Sequence, residues 1–170
     1  MKKTILITLL ICSIQHLCFS QSKETKETPL KTTHNTTLSE LEFTDIKGNT
    51  YTNDKLKDNL AVFTFWHIDN TSCTTEIPKL NQLQMKFQNR DVLFFAVALD
   101  NTSQLESFLE TTDFNFTIVP NGTDLANKFG VPQYPYHIVI DKSGHIEHIT
   151  QDIRLNTIHH LQRRIHRLLR

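Results

Sequence analysis

FTFWHIDNTSCTTEIPKL, residues 63–80, carries an apolar strand into a short polar turn, a cysteine and an amphipathic helix. The strand extends back to Leu60 as LAVFTFW, mostly apolar and rich in strand formers, which predicts a buried central strand over 60–66. On the other side of the turn, Ile77, Leu80, Leu83 and Phe87 recur at helical spacing. They predict a helix over 73–89 with one face on the sheet. Pro78 falls in its first turns and should bend it.

The same reading extends both ways. Leu41 and Phe43 alternate with polar residues, and DIKGNT (45–50) then makes a turn at Gly48. Residues 51–59 are polar, a loop or short helical turn. Downstream, VLFFAVAL (92–99) predicts a second buried strand, and 103–111 a short helix with Leu105, Phe108 and Leu109 inward. Residues 116–119 form a short strand, and 123–129 a helix closed by Gly130. Residues 136–140 and 145–150 are strands joined by the hairpin turn DKSG, and 153–170 is a closing helix. The alternation predicts an α/β fold, a central mixed β-sheet flanked by helices.

Three stretches organise the chain. Residues 1–20 have a basic start at Lys2 and Lys3, an apolar run from Ile5 to Ile14 and a small residue at Ser20, the pattern of a secretory signal peptide. Residues 21–40 are rich in Thr, Lys, Glu and Ser and predict a flexible tether. Residues 41–170 form the folded domain. The leader predicts export across the inner membrane to the periplasm, with membrane contact only through that segment if it stays uncleaved. Cys12 and Cys18 would leave with it, so the exported protein keeps Cys73 alone and no internal disulfide can form. Lysine plus arginine and aspartate plus glutamate stand at 18 each, so charge gives no reason to expect a nucleic-acid partner.

Four features, in order, resemble the thioredoxin superfamily and, more narrowly, the secreted TlpA-like thiol–disulfide oxidoreductases, or redoxins, an AhpC/TSA-related group. Phe65-Trp66 ends the strand before the turn, and Cys73, Glu76 and Pro78 sit at the family spacing of second cysteine, acidic residue and helix proline. Val92 to Asp100 matches the apolar strand that ends in aspartate. Gly130-Val131 through Pro135, followed by HIVIDKSGHI, matches the loop before a cis-proline and the hairpin after it. The resemblance covers about Leu41 to Leu169.

The resemblance implies a thioredoxin-like fold with its site at the start of the Cys73 helix, bounded by Trp66, Asn70, Glu76 and Pro135. It implies that Pro135 is cis and leaves an extended backbone edge that holds substrate peptide in the family. The family's first cysteine, whose thiolate attacks at a helix N-terminus, aligns with Asn70. Asparagine is a good helix cap and no nucleophile. Dithiol exchange is therefore lost or altered. Cys73 is left as the candidate thiol, either a buried packing residue or a single-cysteine redox group, and Glu76 either tunes it or is a solvated residue at the helix start. The partners implied are protein thiols and disulfides or extended peptide segments, and no cofactor is implied.

Two other chemistries are compatible with parts of the pattern. CTTE (73–76) resembles peroxiredoxins of the bacterioferritin-comigratory type, in which a threonine three residues before the cysteine and a distant arginine activate the thiolate toward peroxide. Here Thr71 is only two residues before Cys73, and no arginine occurs between Arg90 and Arg154. His67, Asp69, Cys73 and His137 would suit copper or zinc as a donor set, but the chain has nine histidines and no paired-cysteine motif, so no metal site is assigned. The closing helix carries Arg154, Arg163, Arg164, Arg167 and Arg170 opposite Ile158, Leu161, Ile165 and Leu168; a basic amphipathic helix can lie on a membrane, but the pattern here predicts a helix that seals the core and turns a basic face to solvent.

Overall fold

The computed structural model describes residues 40–150 and 157–170. The segments expected as signal peptide (1–20) and tether (21–40, all but Glu40), and the start expected for the closing helix, lie outside the described residues. In chain order the elements are β1 (Glu42–Thr44), β2 (Thr50–Thr52), α1 (Asn53–Leu56), β3 (Leu60–Trp66), α2 (Thr71–Thr74), α3 (Ile77–Phe87) and β4 (Val92–Ala98). They continue as α4 (Thr102–Leu109), β5 (Thr117–Val119), α5 (Thr123–Lys128), β6 (Tyr136–Ile140), β7 (Ile146–Thr150) and α6 (Thr157–Leu168).

The main sheet has the order β5-β4-β3-β6-β7. β3, β4 and β5 run parallel, and β6 and β7 are antiparallel to their neighbours. β1 and β2 form a separate hairpin, whose turn takes Gly48 at φ +84°. β3 lies at the centre because all seven of its residues are buried. Its side chains alternate between two cores. Leu60, Val62 and Trp66 pack with Leu80, Leu83 and Phe87 of α3, Leu105 of α4, and Leu161 and Ile165 of α6. Ala61, Phe63 and Phe65 pack with Phe43, with Leu125 and Ala126 of α5, and with Phe129.

The single helix expected over 73–89 is two helices. Pro78 has no N–H to offer the Thr74 carbonyl, so the first piece stops at Thr74 and the second starts at Ile77, with Pro78 in its first turn. Thr75 and Glu76 keep right-handed helical dihedrals across the break, so the axis jogs without turning away. This junction aims Glu76 at the sheet.

Candidate functional site

The site forms where β3 ends and the chain crosses to α2. Leu99 N–H donates to the Trp66 carbonyl at 3.1 Å, and Ile68 N–H donates to Asp100 Oδ2 at 2.9 Å. The ends of β3 and β4 are thus tied together. Asn70 then caps α2 from an extended backbone conformation, its Oδ1 accepting from Ser72 N–H at 2.9 Å. Its Nδ2 donates to the Tyr134 carbonyl at 3.1 Å. One side chain therefore stitches the helix start to the loop that precedes β6. The Tyr134–Pro135 bond in that loop is cis.

Cys73 points into the core beside Trp66 and Ile77 and is 3% exposed. It is a free thiol. Burial pushes its pKa up to about 11, and the negative charges of Glu76 and Asp100 push the same way against one hydrogen bond from the His67 backbone. Burial, then the proximity of Cys73, also raises the Tyr134 phenol. The surroundings of Cys73 hold it as a thiol.

Beneath α2 and α3 lies a polar trio of which the sequence singled out Glu76 and His137, but neither Thr64 nor the contacts that join the three. Thr64 of β3 and His137 of β6 are register partners on the α3 face of the sheet. Thr64 Oγ1 is 3.0 Å from His137 Nδ1, and His137 Nε2 is 3.2 Å from Glu76 Oε2. Thr64 and His137 are each 1% exposed. With the Glu76 carboxylate accepting from Nε2–H, Nδ1 accepts from the Thr64 hydroxyl, so one tautomer satisfies both ring nitrogens. The signals available were a lone hydroxyl in LAVFTFW and a lone imidazole in YHIVI.

Trp66, Asn70, Cys73, Glu76 and Pro135 are brought into one neighbourhood. Trp66 serves the core side, its ring 5.3 Å from Phe114 and 5.6 Å from Phe108. Glu76 is not a solvated helix-start residue: its side chain is 12% exposed and paired with His137. The donor set considered for copper or zinc does not assemble, because His137 is engaged by Thr64 and Glu76. Among the described residues, no group of three or more His, Cys, Asp or Glu side chains is arranged to hold a metal ion. The outer rim is His67 and Tyr134, whose rings meet edge to face at 5.6 Å, with Pro132 and Gln133 exposed beside them.

Comparison with known proteins bears on the family and the fold. The model of the AhpC/TSA family matches residues 34–149. The thiol-disulfide oxidoreductase ResA of Bacillus cereus is 27% identical over 105 residues, which cover 61% of this chain and 61% of that protein. ResA of Bacillus thuringiensis is 24% identical over 144 residues, covering 84% of this chain and 82% of that protein. A thiol:disulfide interchange protein of the thioredoxin family from Chlorobium tepidum superimposes with a TM-score of 0.69 at 18% identity, over 81% of this chain and 99% of that one.

Proposed function

The chain belongs to the AhpC/TSA family and is a redoxin of the thioredoxin superfamily, and on that premise we propose that it has given up dithiol exchange. Its site then engages extended segments of partner proteins, thiol-bearing segments among them, without a redox cycle. One observation carries this reading. The residue in the attacking position, Asn70, spends both ends of its amide on Ser72 and Tyr134, over a Cys73 that is buried and held as a thiol. The partner-facing surface is the cis-proline loop with Tyr134 and His67. The Tyr134 carbonyl already holds Asn70 but keeps a second lone pair for an incoming donor.

The ResA proteins are thiol-disulfide oxidoreductases by name, and this points to protein thiols and disulfides as the ancestral partner class. Export to the periplasm, with the leader removed and Cys73 left as the sole thiol, belongs to the same proposal. A single-cysteine redox role or a peroxidase role would both require Cys73 to ionise and meet its substrate, and its burial supports neither. Copper or zinc handling lacks an assembled donor set among the described residues.

The test is reduction of insulin disulfides by dithiothreitol with the purified chain. The wild type should not accelerate it, and Asn70→Cys should, because the substitution restores two sulfurs at family spacing. Wild-type turnover that disappears in Cys73→Ala would overturn the proposal. Peroxide consumption that disappears in the same variant would favour the peroxidase role.

A further inference from the structure

α3 and α6 lie side by side on one face of the sheet. Leu80, Leu83 and Phe87 of α3 share a core with Leu161 and Ile165 of α6. The Phe87 ring is 4.8 Å from the His166 ring, and Lys86 Nζ donates to Gln162 Oε1 at 2.8 Å. Their inward faces are used up in this packing, so their outward faces form one continuous surface.

The two helices themselves carry one sign of charge. Residues 77–90 and 157–170 hold seven of the eighteen Lys and Arg of the chain and none of the eighteen Asp and Glu. Arg164 is paired with Glu147. The other six, Lys79, Lys86, Arg90, Arg163, Arg167 and Arg170, are all exposed. The rest of the chain carries eleven Lys and Arg against eighteen Asp and Glu, so a protein of zero net charge is strongly polarised. Met85 of α3, whose neighbours one helical turn away are the uncharged Asn81, Gln82, Gln88 and Asn89, is 58% exposed and the one large exposed hydrophobic among the described residues.

We infer that the α3–α6 face docks the domain on an anionic phospholipid surface. Spread cations suit a fluid layer of phosphate headgroups, which needs no matching relief. The exposed thioether of Met85, on the same helix as Lys79 and Lys86, can enter the boundary between headgroups and acyl chains. Because the opposite charge lies elsewhere on the molecule, attraction to such a surface also orients it. Lys79 is one helical turn from Glu76, so the docked face runs up to the edge of the candidate site. The inference does not depend on the chemistry of Cys73.

The test is co-sedimentation of residues 21–170, the chain without its expected leader, with vesicles of mixed phosphatidylglycerol and phosphatidylcholine, against vesicles of phosphatidylcholine alone. Binding should require phosphatidylglycerol and fall steeply as salt shortens the Debye length to about 8 Å at physiological ionic strength. The triple variant Lys86→Glu/Arg163→Glu/Arg167→Glu should lose at least about tenfold in partitioning. The neutral triple variant Lys86→Gln/Arg163→Gln/Arg167→Gln should lose less, and it serves if the reversal fails to fold by circular dichroism. Met85→Ser should weaken binding and leave its salt dependence unchanged. Equal binding to both vesicle types, or full binding by the folded variants, would overturn the inference. So would tighter binding to poly-glutamate than to the phosphatidylglycerol vesicles at matched charge, which would assign the face to an acidic polypeptide.

Discussion

His137 Nε2 lies 3.2 Å from Glu76 Oε2, joining the strand after the cis-proline loop to the helix junction after Cys73. Because His137 is buried, the pair ties the two walls of the site together away from water. Replacing Glu76 by Ala leaves a buried ring N–H without its acceptor and should cost about 1–3 kcal/mol. Glu76→Gln keeps an acceptor oxygen and should cost less. Urea denaturation of Glu76→Ala, His137→Ala and the double variant should give a coupling of about 0.5–3 kcal/mol. Additive losses would mean that the contact contributes nothing.

Cys73 should be slow to alkylate. With its pKa pushed up to about 11, site-resolved labelling by iodoacetamide should remain slow at neutral pH and rise only in strong alkali. Rapid labelling near neutrality would show an accessible thiolate.

The same shift makes a stability prediction with a definite sign. Above an unfolded-state pKa near 9 the unfolded chain has lost the Cys73 proton, while the folded chain keeps it up to about 11. The stability is whole below that window and falls as pH rises through it, by about 2–3 kcal/mol. Cys73→Ala should flatten this alkaline slope by about one proton in denaturant titrations across the window. An unchanged slope would place the proton loss elsewhere.

The two halves of Asn70 separate by substitution. Asn70→Asp keeps the cap acceptor for Ser72 N–H but loses the donor to the Tyr134 carbonyl. It should keep α2 and loosen the cis-proline loop, seen as faster amide exchange near Tyr134. Asn70→Ala loses both contacts and should cost about 0.5–2 kcal/mol from the cap alone.

Gly122 sits where α5 starts against β4. A Cβ there would lie 2.3 Å from Val97 Cγ1 and 2.9 Å from the Ala98 carbonyl oxygen. Because the second obstacle is backbone, the helix must shift. Gly122→Ala should destabilise by about 1–3 kcal/mol, readable as a lower melting temperature.

Much of this molecule was legible as a string. The apolar run at 60–66, the helical spacing of Ile77, Leu80, Leu83 and Phe87, and the turn DKSG each report a local backbone state through a short period. Those signals located the strands, the order of layers and the neighbourhood of Cys73. It was the family resemblance, not a local signal, that set Asn70 where the family's first cysteine is expected. The split between α2 and α3 was only half legible: Pro78 predicted a bend, but whether the helix resumes depends on what Ile77 and Leu80 find to pack against.

Tertiary structure alone decided the rest. Thr64 and His137 are 73 residues apart, and His137 and Glu76 are 61 apart, so no local period connects them. They meet because antiparallel register sets β6 opposite β3 and the Pro78 break swings Glu76 over that register. The burial of Cys73 is likewise a property of the assembled core, because its neighbours Trp66 and Ile77 and the lid formed by Asn70 and Tyr134 come from separate elements. The sequence by itself determined which backbone each segment adopts, since that choice is made by neighbours along the chain. Which side chains share a proton, a charge or a surface was decided only when the sheet set its register and the helices took their faces.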